Sequence, residues 1–218
     1  MGLEFSLIVF DLDGTLVDSR KDIADSTNLL LDYYGAAPLA ERTIERMVGD
    51  GTATLVARAF AAVGQTPPPD ALARFLDIYG RRLIAHTRPY PDIPDVLDAL
   101  AARATLGVLT NKPIAATREI LSGLDLARYF SADRVLGGDG PLPRKPHPDG
   151  LLRLAAGAGV DAGQTVLVGD SLIDWRTARN AGARVCLARY GFGFETFPTD
   201  QLSADDLVID TPRGLLGL

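Results

Sequence analysis

The sequence predicts an α/β fold: a doubly wound parallel sheet, or Rossmann-like core, with an inserted α-helical cap domain. In the second part of the chain, short apolar runs alternate with segments of helical periodicity, which is typical of a parallel sheet with helices on both faces. Between Ser19 and His86, apolar residues recur only at helical spacing. We therefore expect residues 1–18 and 87–218 to form the α/β core and residues 19–86 to form the cap.

The first strand is predicted at Leu7–Phe10, because four consecutive apolar residues rich in β-formers are too few for a helix. The cap segment should hold about four helices, since glycine and proline interrupt its helical pattern at 35–38, 49–51 and 64–69. The alternating part then predicts, in order, a helix at 93–100, a strand at 106–109, a helix from 113 to about 121, a weaker strand at 135–136, a helix at 151–158, a strand at 166–168, a helix from about 173 to 181, a strand at 185–188 and a short strand at 207–209.

Two aspartates, Asp11 and Asp13, follow the first strand directly, where the carboxyl ends of parallel strands form a ligand crevice. Alternate positions on an extended segment point the same way, so both carboxylates are expected at the mouth of one pocket. Carboxylates that close repel each other, and Mg²⁺ relieves the repulsion while also accepting phosphate oxygens. A solvated turn or a calcium loop shows a similar pattern, but Leu16 and Val17 stand where a calcium loop needs oxygen ligands.

Three further groups of polar residues lie at predicted strand ends or in loops of the same rim. Thr110 and Asn111 follow a strand and can donate hydrogen bonds to a phosphate, although both are also ordinary loop residues. Lys145 lies in a proline-rich loop and can present a point charge to phosphate and carboxylate, although most lysines are solvated. Asp170 follows another buried strand, with Asp174 one helical turn further on. Helix capping explains one of these two aspartates well and the second poorly.

Composition restricts the partners and the compartment. The net charge of −6 argues against binding to nucleic acid or to an anionic membrane surface. No apolar run approaches the ~20 residues of a membrane-spanning helix, and no secretion signal is visible. The single cysteine, Cys186, lies in an apolar run, so a buried strand position and a reducing cytoplasm are expected. The sequence leaves open whether the protein is a monomer or a homodimer.

These motifs, in this order, resemble those of the haloacid dehalogenase superfamily, in its branch of phosphatases with a helical cap. Residues 11–19 (DLDGTLVDS) match the first family motif, 110–111 the second, 145–146 the third, and 169–171 with Asp174 the fourth. Residues 47–51 (MVGDG), 144–148 (RKPHP) and 169–171 (GDS) are also similar to segments of phosphoglycolate phosphatases.

The resemblance implies a role for each matching residue. Asp11 would attack phosphorus and form an aspartyl-phosphate, and Asp13 would act as general acid and then as general base. A dehalogenase or a phosphonate hydrolase of the family would not be expected to keep Asp13. The implied Mg²⁺ ligands are the Asp11 carboxylate, the Asp13 carbonyl and the Asp170 carboxylate, with Asp174 in support, while Thr110, Asn111 and Lys145 would bind the phosphoryl group.

The implied function is a Mg²⁺-dependent phosphatase of a small phosphorylated metabolite, with 2-phosphoglycolate as the first candidate. The alternative is a phosphosugar mutase similar to β-phosphoglucomutase, in which the phosphoryl group returns to a second position of the sugar. Arginines in the cap segment leave the choice open, because a mutase needs basic residues there to grip a sugar. A non-catalytic phosphate sensor is disfavoured, because it would be expected to have lost one of the acidic residues.

Overall fold

The computed structural model describes residues 5–218, so the first four residues of the predicted core lie outside the described residues. The predicted elements from residue 93 onward are all present, with ends within two residues of those expected. The strands are β1 (Leu7–Phe10), β2 (Val17–Asp18), β3 (Arg88–Pro89), β4 (Thr105–Leu109), β5 (Val135–Leu136), β6 (Thr165–Gly169), β7 (Arg184–Ala188) and β8 (Leu207–Ile209). The helices are α1 (Arg20–Tyr33), α2 (Glu41–Glu45), α3 (Thr52–Ala62), α4 (Ala71–Gly80), α5 (Ile93–Ala101), α6 (Ile114–Gly123), α7 (Asp149–Ala158) and α8 (Leu172–Ala181).

Strand β1 lies inside a six-stranded sheet of order β5-β4-β1-β6-β7-β8, in which every neighbouring pair is parallel. Alternate residues of a strand point to opposite faces. Accordingly, Ile8 and Phe10 join a hydrophobic cluster with α5 and α6, while Leu7 and Val9 join a second cluster with α7 and α8. The predicted doubly wound parallel sheet is confirmed. Because β1, β4 and β6 are adjacent and parallel, the turns that follow them meet at one edge of the sheet.

Four helices, α1 to α4, are inserted between β2 and β3, as the helical periodicity predicts. The sequence did not reveal the ribbon at the base of this insertion, where β2 and β3 pair antiparallel. Asp22, buried at the start of α1, fastens the entrance of the insertion to its exit. Its Oδ2 accepts hydrogen bonds from the backbone N–H groups of His86 (2.8 Å) and Thr87 (2.7 Å) and from the Thr87 hydroxyl (2.8 Å).

Two predictions from composition concern the interior and the membrane. Cys186 is buried in β7, as expected from its apolar neighbours, and its thiol is free. Among residues 5–218, none of the helices is both long enough and apolar enough to cross a bilayer.

Candidate active site

Three aspartates from the turns after β1 and β6 converge at the edge of the sheet. Asp11 follows β1, and its N–H donates to the carbonyl of Val168 on the adjacent strand β6 (2.9 Å). Asp170 follows β6, and Asp174 lies in the first turn of α8. One carboxylate oxygen from each aspartate lies within 4.8 Å of the others, and all three residues are buried. The structure therefore brings together the carboxylates that the sequence placed at two separate strand ends.

Asp170 fits into a space that glycines leave open. Gly14 has a φ of 84°, and a Cβ at this position would lie 1.9 Å from Asp170 Oδ2. A Cβ on Gly191 would lie 2.3 Å from the Cβ of Asp170. The N–H of Gly193 donates to Asp170 Oδ2 (2.7 Å). The loop after β7 thus completes the site, and sequence reasoning missed it. Its signal was the pair of glycines just beyond a strand's carboxyl end.

Lys145 is the cation of this cluster. Its buried ammonium group lies 2.6 Å from Asp174 Oδ1 and 2.9 Å from Asp11 Oδ1. The other oxygen of Asp174 accepts hydrogen bonds from the N–H (3.1 Å) and the hydroxyl (2.6 Å) of Ser171, which is the N-cap residue of α8. Asp174 therefore caps the helix and holds Lys145 at the same time. Helix capping, the ordinary explanation for this pair of aspartates, therefore applies to Asp174, whereas Asp170 precedes the N-cap residue and accepts from Gly193 instead.

The cluster holds more carboxylates than cationic side chains. Burial raises the pKa of Asp11 to about 6, against the opposing effect of Lys145. Burial also raises the pKa of Asp170 well above its ordinary value, and the charges of Asp174 and Asp11 raise it further. Burial alone would lower the pKa of Lys145, but its two carboxylate partners raise it instead. Three carboxylates facing one ammonium group leave an excess of two negative charges, which matches a hard divalent cation.

Asp13 stands apart from this cluster. The Ser19 hydroxyl donates to its Oδ1 (2.6 Å), and the buried ammonium group of Lys112 contacts both carboxylate oxygens at 3.0 and 2.7 Å. Lys112 also donates to the hydroxyl of Tyr79 in α4, at 2.8 Å. Sequence reasoning assigned Lys112 no role. Its signal was a basic residue next to Thr110 and Asn111 in the turn after β4.

Thr110 and Asn111 are buried in that turn and line the same cavity as Asp11. The side-chain amide of Asn111 donates to the carbonyl of Gly49 in the inserted segment (2.9 Å) and to the carbonyl of Lys145 (3.0 Å). Asn111 therefore connects the cap to the lysine loop. The direct binding of phosphate by Thr110 and Asn111 stays a prediction.

The cavity lies between the sheet edge and the helical insertion. Its core side carries Asp11, Asp13 and Asp170. Its cap side is mostly apolar, with side chains of Ile23, Val48, Leu55 and Phe75. Such a wall, apolar with a few placed polar side chains, is typical of a site for a small molecule.

The parallel sheet with its helical insertion and the buried cluster of aspartates define a class of hydrolases. A comparison with protein-family models agrees with this class. The family model of haloacid dehalogenase-like hydrolases matches residues 8–188, which is most of the chain. The chain belongs to this family. The predicted enzyme class, a phosphoric monoester hydrolase, is confirmed with it.

Individual relatives are phosphatases. Over 197 residues the chain is 44% identical to the phosphoglycolate phosphatase of Rhodospirillum rubrum, covering 86% of this chain and 81% of the relative. It is 31% identical over 219 residues to the N-acetylmuramic acid 6-phosphate phosphatase of Pseudomonas aeruginosa, covering 98% of this chain and 94% of the relative. A crystal structure of a predicted phosphoglycolate phosphatase from Haemophilus somnus is similar with a TM-score of 0.89 and 31% identity, covering 97% of this chain and 96% of that one.

Proposed function

We propose that this phosphatase hydrolyses 2-phosphoglycolate, with Mg²⁺ as cofactor and an aspartyl-phosphate as intermediate. The observation that carries the proposal is the buried cluster of Asp11, Asp170, Asp174 and Lys145 beside a small, mostly apolar cavity. The similarity to the phosphatase of Rhodospirillum rubrum supports the choice of substrate. The single cysteine, Cys186, is buried and free, which supports the reducing cytoplasm as our proposed compartment.

Mg²⁺ fits the donor set, because its ligands in proteins are oxygens and it usually takes one or two carboxylates. The carboxylates of Asp11 and Asp170 and the backbone carbonyl of Asp13 are our proposed ligands. Both oxygens of Asp174 are already engaged by Lys145 and Ser171, so Asp174 supports the site by holding Lys145 in place. When bound, the ion supplies positive charge to the transferring phosphoryl group.

The chain's own residues carry the proton and phosphoryl transfers. A carboxylate oxygen of Asp11 attacks phosphorus, and the bond from phosphorus to the ester oxygen breaks. Asp13 gives its proton to that oxygen, which leaves as an alcohol. Asp13 then takes a proton from water, which attacks the aspartyl-phosphate and restores the Asp11 carboxylate with release of phosphate. Lys145 and Thr110 hold the phosphoryl oxygens, since phosphoryl transfer depends mainly on alignment and charge.

We further propose that residues 19–86 act as a cap that excludes water from this chemistry, on a core of residues 1–18 and 87–218. Several contacts join the two parts, two of them at the cavity. Asn111 donates to Gly49, Lys112 donates to Tyr79, and Glu195 in the core pairs with Arg42 and Arg46 in the cap. Lids of this kind commonly complete an active site when they close.

The test is a phosphate-release assay on purified protein with 2-phosphoglycolate, N-acetylmuramic acid 6-phosphate and β-glucose 1-phosphate, each with Mg²⁺ and with a chelator. We expect Mg²⁺-dependent release from 2-phosphoglycolate, and loss of at least about 10³-fold in Asp11→Asn, which lacks the nucleophile. Preferred turnover of the muramic acid ester would contradict the proposed substrate. Isomerisation of the glucose ester without phosphate release would identify a mutase.

A further inference from the structure

A substrate such as 2-phosphoglycolate carries a second negative group that the cluster around Asp11 cannot bind. The cavity wall offers one cationic side chain among the described residues that line it, and this is Lys112. Its ammonium group is almost fully buried, so its orientation is fixed by its contacts with Asp13 and Tyr79. When Asp13 carries the proton that it donates to the leaving oxygen, the charge of Lys112 is no longer neutralised and can bind an anion in the cavity.

The covalent structure of the substrate places its carboxylate near this lysine. In 2-phosphoglycolate a single methylene group separates the carboxylate from the ester oxygen that leaves. Asp13 must approach that oxygen to within about 3 Å to deliver its proton. Lys112 Nζ lies 2.7 Å from Asp13 Oδ2. A pose that allows Asp13 to protonate the leaving oxygen can therefore bring the substrate carboxylate to Lys112.

Tyr79 supplies a second donor at the same place. Its hydroxyl accepts a hydrogen bond from Lys112 and, among the described residues, donates to none. Tyr79 also lines the cavity, so its proton is available to a ligand there. The N-terminus of α3 adds positive electrostatic potential in the cavity through the helix dipole. Its N-cap residue Gly51 and its first residue Thr52 line the cavity as well.

We propose that Lys112 and Tyr79 bind the carboxylate of the substrate and so select phosphorylated 2-hydroxy acids over plain phosphate esters. This inference rests on the proposed function and names the residues that decide its substrate class. Lys112 belongs to the core and Tyr79 to the cap. A bound carboxylate therefore bridges the two parts and favours the closed position of the cap, which an ester without a carboxylate cannot do.

The test compares two substrates on the same variants: 2-phosphoglycolate and ethyl phosphate, which has similar size and no carboxylate. For the wild type we expect kcat/KM to favour 2-phosphoglycolate by at least about 100-fold, since a site built for a polar group discriminates strongly against its absence. In Lys112→Met this ratio should fall by about 100-fold, and in Tyr79→Phe by about 10-fold. Lys21→Met, at an exposed lysine on α1, is the matched control and should keep the wild-type ratio.

The outcomes separate this inference from the function on which it rests. If the wild type does not hydrolyse 2-phosphoglycolate, the proposed function fails before any variant is needed. If the wild type prefers 2-phosphoglycolate but Lys112→Met loses both activities equally, Lys112 only positions Asp13 and the inference is overturned. Thermal melts show whether each variant is folded. If Lys112→Met is not, the ratio in Tyr79→Phe decides, because that substitution removes only a hydroxyl group.

Discussion

At the scale of single residues, the site is a set of buried charges that folding alone does not favour. Asp11, Asp170 and Asp174 are buried within reach of one another, with Lys145 as the ammonium group between them. A buried carboxylate without full compensation costs stability, and this cost appears as the raised pKa of Asp11 and Asp170. A cation bound at this cluster, as we propose, would offset that cost.

The raised pKa values give a direction for stability against pH. The ordinary pKa of an unfolded aspartate is about 3.9, so between pH 4 and 8 the folded, metal-free protein binds more protons at Asp11 and Asp170 than the unfolded chain does. Their contribution to stability is therefore fully present below about pH 4 and is lost as the pH rises through about 6 and above. We expect these two groups to lower the free energy of unfolding of the metal-free protein as the pH rises from 5 to 8.

Asp170→Asn should restore much of the stability that the metal-free protein loses as the pH rises. At pH 8, with a chelator, the variant should be more stable than the wild type by roughly 1–2 kcal/mol, because a buried charge is removed while an amide oxygen can still accept from Gly193. Mg²⁺ should stabilise the wild type and not the variant. Urea denaturation at pH 5 and 8 measures both effects, with Asp200→Asn, at an exposed aspartate, as the control. A variant less stable than the wild type at pH 8 would contradict this account.

The residues that the sequence revealed and those that it concealed differ in a physical way. Asp11 and Asp170 were predictable, because a carboxylate directly after a buried apolar run has a position fixed by the strand itself. Lys112 and Gly191 were not, because their roles depend on which segments meet in three dimensions. Lys112 contacts Tyr79 and Asp13, which are distant from it in sequence. Its local signal, a lysine next to Thr110 and Asn111, does not by itself distinguish it from a solvated loop lysine.

At the scale of elements, the loop between β7 and β8 packs against the acidic cluster. Its short 3₁₀ segment, Phe192–Thr196, lies against the turn after β6, and Gly191 and Gly193 flank the start of that segment and contact Asp170. Gly191 has an ordinary φ of −75°, which any residue can adopt. Glycine is therefore required here because a side chain would not fit, and not because of its backbone conformation. Side chains at this position have no space, since a Cβ would lie 2.2 Å from the carbonyl oxygen of Gly14.

Gly191→Ala tests whether this loop sets the position of Asp170. The added methyl group must displace the loop or Asp170, so we expect the apparent Mg²⁺ affinity to fall by at least about 10-fold and kcat to fall with it. Gly163→Ala is the matched control, because a Cβ there meets nothing within 4 Å. Titration of phosphatase activity with Mg²⁺ measures both variants. Wild-type Mg²⁺ dependence in Gly191→Ala would show that the loop yields without moving Asp170.

Elements themselves were predictable in proportion to their length and periodicity. Strand β1 and helices α5 to α8 were visible, because each buries a regular set of apolar side chains. The ribbon of β2 and β3 was not visible, since two-residue strands exist only through their mutual pairing. The same holds for the fastening of the cap by Asp22, whose partners lie more than 60 residues further along the chain.

At the scale of the whole molecule, the cap and the core share a hydrophobic interior. One continuous cluster contains Ile8 and Phe10 of the central strand together with Phe60 of α3 and Phe75 of α4. Units that share a core in this way lose stability together, in contrast to domains joined only by a polar contact. The cap can therefore move relative to the sheet only as far as this shared packing allows.

The single tryptophan allows a direct test of this coupling. Trp175 lies in α8, packs edge-on against Phe197 at 6.4 Å between ring centroids, and donates its indole N–H to Asp206 (3.1 Å), so its fluorescence reports on the core alone. Phe60→Ala, a cavity in the cap, should cost roughly 3–5 kcal/mol and lower the melting temperature by about 10 °C.

If the shared interior makes the molecule a single cooperative unit, that shift appears equally in tryptophan fluorescence and in far-UV circular dichroism, because the reporter in the core unfolds with the damaged cap. Leu72→Ala is the control, since Leu72 is a partly exposed cap residue and its loss should cost less than about 1 kcal/mol. A fluorescence midpoint that stays at the wild-type value while the dichroism midpoint falls would mean that the cap unfolds by itself. In that case the interior joining Phe60 to β1 would contribute little to stability, and the cap would be free to open much further than the shared cluster implies.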